Sequence, residues 1–106
     1  MYKLIIYKIV ENAIDEIYDH IANVYYNKPS AKKIADTISA NIEKLRLNPF
    51  LGQVINGRLS FPPEEEIRYL PILKKYLAFY RIVGGEVQVF RLAFASSNWT
   101  ANDLFK

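Results

Sequence analysis

Between Ile67 and Ala95 the chain gathers Arg68, Lys74, Lys75, Arg81 and Arg91 with Tyr76 and Tyr80, set against one acid, Glu86. Guanidinium and ammonium groups hold anions, and phenols add a flat ring with one hydroxyl. Such a set suits a polyanionic partner such as nucleic acid, although an acidic protein segment satisfies the same electrostatics. Gly84 and Gly85 sit between two β-rich runs, the signature of a two-residue hairpin turn. With Val83 opposite Glu86, the register places Tyr76, Ala78, Tyr80 and Ile82 on one face with Val87, Val89, Arg91 and Ala93. Leu77, Phe79, Phe90, Leu92 and Phe94 fall on the other, which reads as the core face. Arg91 then stands opposite the small Ala78, between Tyr76 and Tyr80, as a candidate anion site. Cation–π contact and packing of the arginine stem are the alternative reading of the same neighbours. Arg81, near Glu86 and Gln88, reads as a solvated residue at the hairpin tip.

The elements that must position these residues are legible upstream. Tyr2 to Val10 reads as a strand. From about Asn12, the apolar residues Ile14, Ile17, Tyr18, Ile21, Val24 and Tyr25 recur at helical spacing, with acids on the opposite face. Asn27-Lys28-Pro29 ends that helix and opens a second, whose face carries Ala31, Ile34, Ala35, Ile38, Ile42 and Leu45 and which stops at Asn48-Pro49. Phe50 to Glu66 reads as a long loop broken by Gly52, Asn56-Gly57 and Pro62-Pro63, with at most a short strand near Val54 and Ile55. A strand interrupted or edged by Pro71 follows, then the hairpin, then a short tail holding Trp99. Helices segregated from a meander make an α+β fold. The expected architecture is one domain over residues 1–106: an antiparallel sheet with an N-terminal strand, a helical hairpin on one face and a three-stranded C-terminal meander. The face bearing Tyr76, Tyr80 and Arg91 is expected to be open.

Composition narrows the function classes. With 51% hydrophobic residues the chain is globular rather than disordered. It has no cysteine, so disulfide and thiolate chemistry are excluded. His20 is the lone histidine and has no partners for a metal set. There is no glycine-rich phosphate loop and no carboxylate cluster at metal spacing, so no cofactor is expected. The apolar run near the N-terminus is too short to span a bilayer, and a cytoplasmic, membrane-free protein is expected. A net charge of +3 hides a division. Glu11, Asp15, Glu16 and Asp19 lie in the first helix without a lysine or arginine from residue 9 to 27, while the cations crowd the sheet.

The order of these pieces resembles the RelE/ParE superfamily of toxins from bacterial type II toxin–antitoxin systems. The resemblance spans nearly the whole chain and rests on three groups of residues: Ala13, Glu16, Ile17, Asp19 and Ile21; Leu45, Asn48, Pro49 and Gly52; and Arg68 to Ile82 followed by a V-x-V-x-R strand. It implies growth arrest relieved by a cognate antitoxin, for which the apolar rim of Phe50, Leu51 and Trp99 is a candidate landing place. Members resembling RelE cut mRNA on the ribosome without a metal, and members resembling ParE poison DNA gyrase. The first reading implied here is mRNA cleavage, with Arg68, Tyr80 and Arg91 catalytic and Lys74, Lys75, Tyr76 and Arg81 contacting nucleic acid. A non-catalytic gyrase inhibitor, or a decayed toxin that binds only antitoxin, is the alternative. The chain departs from the ribonuclease pattern at Leu77, Ser96 and Ser97, where cations are common. Loss of one such group costs about 3 kcal/mol of transition-state stabilisation, by analogy with removing an oxyanion donor.

Overall fold

A computed structural model describes residues 1–55 and 66–95. Strand β1 (Lys3–Ile6) leads into helix α1 (Lys8–Val24), which Tyr25–Asn27 joins to α2 (Lys28–Glu43) and a 3₁₀ turn (Lys44–Arg46). Strands β2 (Gln53–Val54), β3 (Ile67–Ile72), β4 (Tyr76–Val83) and β5 (Glu86–Phe94) complete a five-stranded sheet in the order β1-β5-β4-β3-β2.

The α+β fold, the two helices and the meander are as expected, with corrections to the first strand, the strand directions, the hairpin register and the covered face. The first strand is shorter than Tyr2–Val10. The backbone N–H groups of Val10 and Glu11 already bond to the Tyr7 carbonyl, and Val10, fully buried, belongs to the helix. Its position four residues before Ile14 extends the helical period backwards, which outweighs the β-branched run. The sheet is also mixed rather than antiparallel throughout. β1 pairs in parallel with β5, Leu4 opposite Val87 and Ile6 opposite Val89. The helices carry the chain across to the far edge at β2, and the meander returns strand by strand until β5 runs beside β1 in the same direction.

Local chemistry explains the helix boundaries. The Asn27 side chain accepts the Ser30 amide at 3.1 Å, capping α2, and Pro29 occupies its first turn. Ile38, Ile42 and Leu45 are fully buried, each worth roughly 1.5–3 kcal/mol of apolar transfer.

The hairpin register holds from Val83↔Glu86 to Tyr80↔Val89 and then slips. A bulge between Phe79 and Tyr80 puts Phe79 opposite Arg91, Ala78 opposite Leu92 and Tyr76 opposite Phe94. One extra residue in β5, at Phe90, reverses the face of everything after it. Arg91 thereby leaves the face of Tyr76 and Tyr80.

The face assignment is reversed as well. Tyr76, Ala78, Tyr80, Val87 and Val89 form the main core with Leu70, Ile72, Val10, Ile38, Ile42 and Leu45, so the helices cover the face expected to be open. The opposite face carries the smaller cluster of Ile55, Ile67, Leu77, Phe79 and Phe90. Both faces of β4 are apolar, so alternation alone does not say which one the helices take. Tyrosine is mostly ring and enters a core readily where its hydroxyl finds partners.

Candidate functional site

Tyr80, fully buried, has such partners. Its hydroxyl donates to the Pro49 carbonyl and accepts the Gly52 amide, both at 2.8 Å. The residues that follow α2 therefore wrap around one phenol. Gly52 is required there, because a Cβ would lie 2.6 Å from the Tyr80 hydroxyl and 2.6 Å from the Tyr69 carbonyl. Burial pushes the Tyr80 phenol above its ordinary pKa, and the Gly52 amide and the Arg68 charge offset only part of this. A raised pKa moves the phenol away from the range useful to a general base.

Arg68 faces Tyr80 across β3 and β4 and secures the same turn. Its Nη1 donates to the Gly52 carbonyl at 2.7 Å and more weakly to the Phe50 carbonyl at 3.4 Å. Its Nη2 pairs with Glu66, and the guanidinium lies 5.2 Å from the Phe50 ring centroid. The side chain is only 14% exposed, and Nε is buried without a hydrogen-bond partner among the described residues. A planar fork with several donors suits this cluster of carbonyls in a way an ammonium would not.

The remaining cations are dispersed. Arg81 is on the face opposite the helices, where Nε donates to Gln88 at 2.9 Å and Nη2 to the Tyr7 hydroxyl at 2.9 Å. It also lies 5.6 Å from the Phe90 ring centroid, so the solvated role expected of it gives way to a packed one. Gln88 continues the network to Glu86. Arg91 shares that face, half-buried, with no hydrogen bond or ion pair among the described residues. Lys74 and Lys75 are exposed in the β3–β4 turn. Tyr76 lies under the helix side of the sheet and is pushed above its ordinary pKa by burial. The candidate residues thus fall into separate places: Arg68 with Tyr80, Arg81 with Tyr7, and Arg91 apart.

Of the departures from the ribonuclease pattern, Leu77 is buried in the smaller cluster, and Ser96 and Ser97 lie outside the described residues, as does Trp99. Phe50 and Leu51 are exposed. Reasoning from sequence missed Tyr7, whose strand-end position gives no sign of its hydrogen bonds to residues far along the chain. It also missed the role of Asn48-Pro49-x-x-Gly52, for which the proline–glycine spacing was the available signal. Among the described residues, no group of three or more His, Cys, Asp or Glu side chains is placed to hold a metal ion. No helix among them is long and apolar enough to cross a membrane.

A groove of about 600 Å³ runs between α1 and the adjoining ends of β4 and β5. Ile17, Ile21, Tyr25, Tyr76, Leu92 and Phe94 line it, with Glu16, His20 and Lys75 also on its walls.

The model of the ParE toxin of type II toxin–antitoxin systems, parDE, matches residues 4–99. The chain belongs to this family. The fold agrees with a chain of the chromosomal ParDE toxin–antitoxin system from P. aeruginosa, at a TM-score of 0.65 and 26% identity over 89% of this toxin and 96% of that chain. No curated protein sequence matches the toxin.

Proposed function

We propose that this toxin arrests growth by binding and inhibiting DNA gyrase, without cleaving RNA, and that a cognate antitoxin neutralises it in the cytoplasm. The observation that carries this reading is the dispersal of the residues that cleavage would require. Activating a ribose 2′-hydroxyl and stabilising the phosphorane need convergent groups on one accessible surface. Tyr80 is instead buried with both hydrogen bonds committed, and Arg68 is bound to the carbonyls of residues 50 and 52. Arg91 projects from the opposite face of the sheet from Tyr80. Of the cations in the ribonuclease set, Arg91, Lys74 and Lys75 are those whose side chains have no hydrogen bond or ion pair among the described residues. Membership of the ParE family supports the gyrase branch further.

The test pairs two reactions on the purified toxin. In a supercoiling assay with relaxed plasmid and gyrase, inhibition with accumulation of cleaved DNA is expected. On translating ribosomes, mRNA is expected to stay intact, and Arg91→Ala to arrest growth as the unaltered toxin does. Cuts within codons with gyrase unaffected would overturn the proposal.

A further inference from the structure

The two hairpins of the meander close with different residues. Between β4 and β5 the turn is Gly84-Gly85, with Gly84 at φ 59°. Between β3 and β4 the central residues are Leu73 and Lys74, at φ 56° and 57°, and the Lys75 amide closes the turn on the Ile72 carbonyl at 3.1 Å. Positive φ at both central positions is the geometry for which glycine, asparagine and aspartate are the ordinary occupants, because a Cβ crowds the left-handed backbone. Nothing in the fold repays the choice of leucine and lysine. Leu73 is 50% exposed, Lys74 and Lys75 are exposed, and no hydrogen bond, ion pair or cation–π contact engages the three side chains among the described residues. Lys75 shares the groove wall with Glu16, yet the two form no ion pair. The other acids of α1, Glu11, Asp15 and Asp19, do not line that groove. The turn therefore presents one aliphatic side chain beside two unpaired ammonium groups at a hairpin tip.

We propose that this tip contacts the duplex DNA on which gyrase acts, with Lys74 and Lys75 on phosphates and Leu73 set into the groove beside them. The inference rests on the reading above that gyrase is the target, because an inhibitor of that enzyme works next to the DNA it holds. Ammonium groups are point charges that take phosphate oxygens in any sequence and release the counterions condensed there. A β-ribbon is one of the elements that enter DNA grooves, and an apolar side chain among cations is the device by which proteins press on base steps and deform them. Backbone strain kept at an exposed tip, against the glycines of the neighbouring hairpin, fits a contact made outside the molecule. Duplex DNA is favoured over an acidic protein segment on two counts. Cations on adjacent residues match neighbouring phosphates along a strand, and the gyrase reading already brings DNA to the interface.

The experiment uses the full-length toxin with Lys74→Gly, Lys75→Gln, Leu73→Gly and, as a charge control on α2, Lys33→Gln. Each is purified for thermal unfolding, for anisotropy titrations of a short fluorescent DNA duplex across a salt series, and for gyrase inhibition. Glycine is at ease in left-handed backbone, so Lys74→Gly and Leu73→Gly are expected to melt no lower than the unaltered toxin. Each of the two turn lysine variants is expected to weaken duplex binding about fivefold and to lower the slope of log affinity against log salt by about one, the signature of one lost phosphate contact. Leu73→Gly is expected to weaken binding with the slope unchanged, and Lys33→Gln to change neither. All three turn variants are expected to leave less cleaved DNA with gyrase. Unchanged affinity and slope in the turn variants, or no duplex binding by the unaltered toxin, would overturn the inference. Turn variants that inhibit gyrase fully would overturn it and leave the gyrase reading standing. Loss of inhibition with duplex binding intact would also overturn it, and would assign the turn to an acidic protein surface. Duplex binding lost as expected, with gyrase untouched even by the unaltered toxin, would sustain the DNA contact and sink the gyrase reading.

Discussion

Replacing Tyr80 by phenylalanine deletes one oxygen and leaves the ring. It strands the Gly52 amide and the Pro49 carbonyl, each held by that oxygen at 2.8 Å. A buried hydrogen bond contributes about 1 kcal/mol net, and an orphaned buried partner costs about 1–3 kcal/mol, so losing both partners at once should cost roughly 2–4 kcal/mol. With a urea slope near 1.5–2 kcal/mol/M, the midpoint should fall by between about 1 and 2.7 M. Gly52→Ala should be at least as damaging, because its Cβ meets both the Tyr80 oxygen and the Tyr69 carbonyl at 2.6 Å. The double variant should recover only part of the clash, since the Tyr69 carbonyl and the Tyr80 Cε1, at 2.8 Å, remain in place. Urea unfolding of the two single variants and the double variant, followed by circular dichroism, measures each term. Destabilisation by Tyr80→Phe below about 0.5 kcal/mol, the range of ordinary surface changes, would refute the structural role argued for this phenol.

Arg68→Lys should cost about 2 kcal/mol in urea unfolding, because an ammonium cannot serve the Gly52 and Phe50 carbonyls and Glu66 together. Stability should be independent of ionisation of Tyr76 and Tyr80 below the unfolded tyrosine pKa of about 10. Both phenols are raised in the fold by burial, so the folded state keeps its protons while the unfolded state loses them, and stability should fall as pH rises above that value. A urea midpoint series from neutral to alkaline pH checks this, and Tyr80→Phe should flatten the decline. Lys74→Gly should relieve a backbone held at φ 57° and raise stability by about 1 kcal/mol, read as a higher melting temperature.

Much of the architecture was legible because it is written in local periodicity. Ile34, Ile38 and Ile42 mark one helix face whatever lies beneath it, and Asn27 with Pro29 marks where that helix begins. Gly84 and Gly85 specified the hairpin turn, and the register near it followed from the pleat. The order of elements and their spacing also carried the toxin family. The candidate site was far less legible, because membership of a site depends on which face a residue takes. The bulge after Val89 carries no glycine or proline to announce it, yet it moves Arg91 to the other side of the sheet. The choice between two apolar faces of β4 was settled by how α1 and α2 pack, and that buried Tyr76 and Tyr80.

The sequence alone determined that helices and meander would form, since hydrogen-bonding period and hydrophobic period coincide along each segment. Tertiary structure alone decided the roles of the polar residues. Arg68 and Tyr80 are separated by several turns of chain from Pro49 and Gly52, and only the fold brings their donors and acceptors within 2.7 to 2.8 Å. Partnership of that kind is fixed by long-range packing, which local spacing does not encode.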